Sequence, residues 1–280
     1  MDIKYNVIKV KNSNSKELKD SVSVEEPLEM RLKFQSNKKW EVQNISITMR
    51  TPGNDEDLIR GFLFNERIIK SMNEIQAIEY IGNPTGDYNL QNIIEATLNV
   101  KGDLDISNLK RNFITNSSCG VCGKTSLDSI EIIKKNKLDL SIPKIEESII
   151  LQAPQLLMNK QSEFVKTGGI HASSLIDVKG NVISTREDVG RHNALDKLIG
   201  YSIKNNLLNP SEQFIACSGR LNYELVQKAL MANIGVMAGI GAPTSLAIDL
   251  AKRFDMTLLG FVKGDSFNIY CNKDRITLSA

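Results

Sequence analysis

Three short apolar runs constrain the second half of the chain: Phe214-Ile-Ala-Cys217, Gly235-Val-Met-Ala-Gly-Ile240 and Thr257-Leu-Leu-Gly-Phe-Val262. Continuous apolar runs of this length read as buried strands. The stretches between them, Asn222 to Asn233 and Pro243 to Phe254, read as helices. Strands alternating with helices need a sheet covered on both faces, so this half is expected to form a three-layer α/β domain. Ile170 to Ile176 and Val182 to Thr185 flank Lys179-Gly180-Asn181 and read as a hairpin. Phe267 to Cys271 reads as a last strand, and Ile145 to Phe164 as helix with a break around Pro154.

The first half has a different pattern. Residues up to about Asp20 are rich in Lys, Asn and Ser and are expected to be a loose terminus. Val22 to Phe34 reads as extended, with Pro27 marking an edge or bend. Asn44 to Met49 alternates as a strand does, and Thr51-Pro-Gly-Asn turns the chain. Asp55-Glu-Asp-Leu then opens a helix with acids in its first turn, where they suit the dipole. Ile75 to Tyr80 and Tyr88 to Val100 read as two more strands. The expected division is an α+β domain over residues 1–112 and an α/β domain over 113–280.

Composition excludes several classes. Lys plus Arg is 35 and Asp plus Glu is 33, so the net charge of +2 gives no electrostatic footprint for nucleic acid. Aromatics are only 6 %, with no basic-aromatic interleaving for a single-strand groove. No apolar run has transmembrane length, and Met-Asp-Ile-Lys-Tyr-Asn at the start lacks a signal-peptide core. A cytoplasmic protein is expected, where thiols stay reduced. Four cysteines are too few for a disulfide framework. A close pair among them is then redox-active, metal-binding or catalytic.

That pair is Cys119 and Cys122, in Asn116-Ser-Ser-Cys-Gly-Val-Cys-Gly-Lys124. Glycines keep bulk away from both sulfurs, and Lys124 with a following helix start at Thr125 or Ser126 would favour thiolate. A thiolate attacks, carries sulfur or binds metal. A zinc module and a thiol-disulfide oxidoreductase both stay open on these residues.

Other motifs suggest a ligand site. Glu187-Asp-Val-Gly-Arg-His-Asn193 gathers Arg191, His192 and Asn193 at a strand-to-helix junction, and converging donors of this kind suit phosphate or nucleobase. Gly239-Ile-Gly-Ala-Pro-Thr-Ser245 puts Gly241 and free N–H groups at a helix start; a plain turn explains it equally well. Phe261-Val-Lys-Gly-Asp-Ser266 is a turn between strands in which Lys263 could hold a phosphate. His171-Ala-Ser and Cys217-Ser-Gly-Arg220 parallel the zinc deaminases, whose His-x-Glu and Cys-x-x-Cys hold metal and shuttle protons. Here Ser173 replaces the Glu and Arg220 the second Cys, so that metal site would be dismantled.

Ser118-Cys-Gly-Val-Cys-Gly-Lys124, Thr167-Gly-Gly-Ile-His-Ala172, Glu187 to Ala194, Cys217-Ser-Gly-Arg220, Phe261-Val-Lys and Asn268-Ile-Tyr270 together closely resemble the FdhD family. Its members are accessory sulfurtransferases of formate dehydrogenase. The resemblance implies a cytidine-deaminase-like domain with an additional smaller domain, usually as a homodimer. It implies sulfur accepted as a persulfide from a cysteine desulfurase. That sulfur would pass to molybdenum bis(molybdopterin guanine dinucleotide), bound as substrate, before the cofactor enters formate dehydrogenase. Cys119 would be the persulfide carrier with Cys122 its neighbour. Phe261, Val262, Lys263, Gly264, Asp265 and Ser266 would bind the cofactor, together with Arg191, His192, Asn193 and Gly241. A guanine nucleotide should mimic that ligand. No resident metal, nucleic-acid partner or membrane is implied.

Overall fold

A computed structural model describes residues 1–99, 138–139 and 141–279. The Cys119–Cys122 loop, the helix start expected at Thr125 or Ser126 and the division at residue 112 lie outside the described residues.

The terminus expected to be loose is a hairpin. Strand β1 (Asp2–Lys11) pairs antiparallel with β2 (Asn14–Ser23). Asn12 and Ser13 form its turn, both at positive φ, as a tight two-residue hairpin turn requires. Ile8 and Val10 are 67 % and 69 % exposed, so neither face of the arm is covered enough to impose alternation on the sequence. The base of the hairpin is held to a helix by Ser23 Oγ and Thr167 Oγ1, 2.7 Å apart.

Strand β3 (Glu26–Ser36) and β4 (Lys39–Arg50) form a second hairpin, with Asn37 and Lys38 again at positive φ. With β5 (Ile75–Tyr80) and β6 (Ile93–Leu98) they make a four-stranded sheet in the order β4-β3-β6-β5. Pro27 lies in an interior strand, ahead of the first residue paired to β6, so no ladder bond to β6 is lost. The last strand starts at Ile93 rather than Tyr88; Thr85 and Leu90 instead bridge a tight loop. Leu28, Met30, Leu32 and Phe34 alternate onto one face, where helix α1 (Asp55–Asn65) covers them with Leu58, Ile59 and Leu63.

The second half is built on a six-stranded sheet in the order β13-β12-β11-β10-β8-β9. Its strands are β8 (His171–Asp177), β9 (Val182–Asp188), β10 (Gln213–Cys217), β11 (Val236–Gly239), β12 (Thr257–Gly260) and β13 (Asn268–Cys271). The central trio β10, β11 and β12 is parallel, and the outer strands are antiparallel. Helices α4 (Arg191–Lys204), α5 (Tyr223–Met231) and α6 (Ser245–Arg253) cover one face through Leu195, Leu225 and Leu250 against Ile215, Met237 and Leu258. Helix α2 (Glu147–Met158) covers the other through Ile150, Ala153 and Leu157 against Phe214, Val236 and Leu259. The buried strands therefore have two apolar faces, which explains their continuous apolar runs.

Helix α2 runs through Pro154 without the expected break. The interruption comes after Met158, and a short helix α3 (Ser162–Thr167) follows. A small parallel pair, β7 (Ile145–Glu146) with β14 (Ile276–Thr277), completes the fold. No helix among the described residues is long and apolar enough to cross a membrane.

Helix α1 joins the two halves. One side faces the four-stranded sheet, and the other crosses α4 at Gly61 and Gly200, backbone against backbone. Charged groups are buried around this crossing. Lys228 Nζ donates to both Asp196 oxygens at 2.7 and 2.8 Å, and Asn65 Nδ2 donates to Asp196 Oδ1. Arg186 donates to Asp57 at 3.0 Å while its guanidinium stacks 3.7 Å over Tyr201. Burial of charges is tolerated where each has a partner of this kind.

Candidate functional site

The carboxyl ends of β10, β11 and β12 point to one edge of the large sheet, the place where open α/β sheets bind ligands. Three loops leave the sheet there: Ser218–Leu221, Ile240–Pro243 and Phe261–Ser266. Backbone bonds knit them together. Ile240 N–H donates to Cys217 O, Gly241 N–H to Gly219 O, Phe261 N–H to Gly241 O and Val262 N–H to Gly239 O. Strand β8 runs antiparallel to β10, so its first residue, His171, stands at the same edge. The N-terminus of α4, with Arg191 and His192, joins it across the register pair His171 and Asp188.

The start of α4 is fixed from below. Asp188 is fully buried, and its carboxylate accepts from Gly190 N–H at 2.8 Å, Thr51 N–H at 3.1 Å and Lys197 Nζ at 2.6 Å. Thr51 returns the contact, its Oγ1 accepting from Val189 N–H. The acids of this junction are thus not a solvated helix start: β9 extends to Asp188, and Glu187 accepts from Glu163 and Phe164 N–H at the start of α3. Asn193 is drawn the same way. Its Nδ2 donates to Met49 O at 2.8 Å and its Oδ1 accepts from Thr48 Oγ1, so the amide secures α4 to β4.

Arg191 and His192 remain at the edge. Arg191 Nε is buried and has no hydrogen-bond partner among the described residues. His192 Nε2 lies 2.8 Å from Glu224 Oε2 and 2.9 Å from Asn222 Nδ2. His171 Nδ1 lies 3.4 Å from Ser218 Oγ, and burial, then the charges of Arg191 and His192, hold its imidazole below the ordinary value. Sequence reasoning did not place Ser218, Asn222 or Glu224 in the site. Asn222 carried one signal, as the N-cap of α5 accepting from Leu225 N–H at 3.2 Å.

The turn after β12 divides its residues between core and surface. Val262 is buried beneath the sheet, while Phe261 is 45 % exposed with positive φ, a conformation a bulky residue rarely adopts. Lys263 N–H donates to Ser266 O, closing the turn, and Ser266 Oγ donates to Asp265. Gly264 faces open space. Gly241 lies against the neighbouring loop, where a Cβ would stand 2.9 Å from Arg220 N. The edge thus presents cations and one exposed ring, a set suited to a phosphorylated ligand with an aromatic base.

Cys217 is not part of that surface. Its thiol lies in the core, 3.4 Å from Ser173 Oγ, and burial pushes its pKa up to about 12. Among the described residues no group of three or more His, Cys, Asp or Glu could hold a metal ion.

A family model of the FdhD/NarQ family matches residues 25–277. The chain belongs to that family. Sulfur carrier protein FdhD of Saccharolobus solfataricus is 39 % identical over 273 residues, 98 % of this chain and 97 % of that one. The protein of the same name from Streptomyces avermitilis is 39 % identical over 98 % of this chain and 95 % of its own. That of Picrophilus torridus is 40 % identical over 92 % of both. A crystal structure described as a formate dehydrogenase accessory protein from Desulfotalea psychrophila superposes with a TM-score of 0.74, at 22 % identity and 99 % coverage of each chain. The superposition spans nearly the whole of both chains.

Proposed function

We propose that this chain is a sulfur carrier that takes persulfide sulfur from a cysteine desulfurase. It would deliver that sulfur to molybdenum bis(molybdopterin guanine dinucleotide) before the cofactor enters formate dehydrogenase. The observation that carries the reading is the near full-length similarity to relatives named sulfur carrier protein FdhD, in a chain holding Cys119 and Cys122 in a glycine-flanked pair. The Cys119 thiolate would attack the outer sulfur of the donor's persulfide. The new S–S bond leaves Cys119 as a persulfide and releases the donor cysteine as a thiolate.

The loop edge fits the cofactor as a substrate. Its guanine nucleotide ends carry phosphates, and Arg191 offers a buried Nε with no partner among the described residues. We assign the phosphates to Arg191 and His192 and the remaining nucleotide to the Phe261–Ser266 turn, where Gly264 leaves room. We read the six-stranded sheet as deaminase-like with its metal site dismantled, in keeping with Ser173 packing onto Cys217 in the core. A homodimer working in the cytoplasm completes the proposal.

Intact mass after incubation with a desulfurase and cysteine tests it. The expected result is a gain of one sulfur atom that reductant removes and that Cys119→Ala abolishes while guanosine diphosphate binding survives. Undiminished sulfur loading in Cys119→Ala would reject the assignment.

A further inference from the structure

The chain has two histidines, and both stand at the loop edge. Their surroundings differ. His192 has the Glu224 carboxylate at 2.8 Å. His171 has instead the neutral hydroxyl of Ser218, whose oxygen accepts from Ala172 N–H at 2.9 Å. His171 Nδ1 meets that hydroxyl at 3.4 Å, which leaves Nε2 without a carboxylate of its own among the described residues. Gly219 lets the strand-end backbone lie against the ring: a Cβ there would stand 3.2 Å from His171 Cε1 and Nδ1, and 3.7 Å from Arg191 Cδ.

The charges around this ring are mostly positive. Helix α4 contributes Arg191 and His192, the two groups whose charge acts on it. Strand β9 brings Asp188 opposite in register, but that carboxylate is occupied by Lys197, Gly190 and Thr51. Strand β10 offers only the buried Cys217 thiol and Ser218. Helix α5 contributes Glu224, held by His192. A neutral imidazole among cations gains its proton readily once an anion offsets them.

We propose that His171 is an anion-binding residue of this edge beside Arg191, and that it takes up a proton as a phosphorylated ligand binds. This rests on the reading of the edge as the nucleotide site. The bound imidazolium donates from Nε2 to a phosphate oxygen, and the proton comes from solvent. Arg191 keeps its charge across this range and adds little pH dependence; a protonating His171 makes affinity rise as pH falls toward neutrality.

With only two imidazoles in the chain, NMR of the full protein can follow each, and His192→Gln assigns them. The probe is guanosine diphosphate, and the protein with and without it is titrated from about pH 5 to 8.5, a range that takes in the free midpoint below the ordinary imidazole value. The expected result is a rise of about one pH unit or more in the His171 midpoint on binding, equivalent to about tenfold tighter binding to the protonated form. His171→Gln should still bind but lose the proton uptake. Binding with His171 unchanged in midpoint overturns the proposal and leaves the nucleotide site standing. Absence of binding overturns both.

Discussion

Gly61 and Gly200 meet across α1 and α4 so closely that neither has room for a side chain. A Cβ on Gly61 would stand 1.9 Å from Asp196 O, and one on Gly200 2.1 Å from Asp57 O. Each glycine thus faces the residue four positions before the other, one helical turn back. Alanine at either position must push apart a pair of helices that carry opposite halves of the fold. Gly61→Ala and Gly200→Ala should each cost about 3 kcal/mol or more in chemical denaturation. Helix propensity alone would predict a small gain for alanine, so the sign of the change decides.

The Asp196–Lys228 pair lies beside that crossing. Burial disfavours the Lys228 ammonium, but Asp196, Glu66 and Glu224 together outweigh it and its pKa is raised. Lys228→Met leaves a buried carboxylate with only Asn65 and should cost about 3–5 kcal/mol. Adding Asp196→Asn should recover more than half of that loss in the same unfolding measurement, because the uncompensated charge is gone.

Arg191 stands apart from these structural charges, since the folded chain gives its Nε no partner among the described residues. Arg191→Ala should weaken guanosine diphosphate binding by about tenfold or more, measured calorimetrically. The melting temperature should change little. A large loss of stability with unchanged affinity would assign Arg191 to the scaffold.

His171 gives the stability curve a sign. Its folded pKa is lowered by burial first and by Arg191 and His192 after that. The unfolded chain therefore binds more protons there, so this contribution is present above the unfolded value near 6.5 and is lost as pH falls below it. Without ligand, wild type should lose more stability than His171→Gln between about pH 6.5 and 5. Parallel denaturation curves for the two proteins would contradict this.

Burial determined what was legible in the sequence. The strands at Phe214, Val236 and Thr257 were readable because their residues fill a core. The N-terminal hairpin was not, because Ile8 and Val10 face solvent and a strand without a buried face shows no period. Lys and Arg are residue types mostly found at the surface, yet Lys197, Lys228 and Arg275 are buried; two of their partners lie 32 and 133 positions away. Arg191 and His192 stand together at the loop edge, at the strand-to-helix junction their run suggested. Asn193 belonged to the same run but turns inward to Met49, a choice that depends on where β4 lies.

Arg275 sets an order of events during synthesis. Its guanidinium donates to the carbonyls of Asp139, Ile142 and Asp255 and to Thr257 Oγ1, at 2.7, 2.7, 2.6 and 3.2 Å. Asp139 and Ile142 follow Cys119 and Cys122 in the sequence. Ile142 O waits for a donor made 133 residues later, a delay on the order of ten seconds on a ribosome. The segment at Asp139 and Ile142 is therefore anchored late, after all three parallel strands of the large sheet have been made.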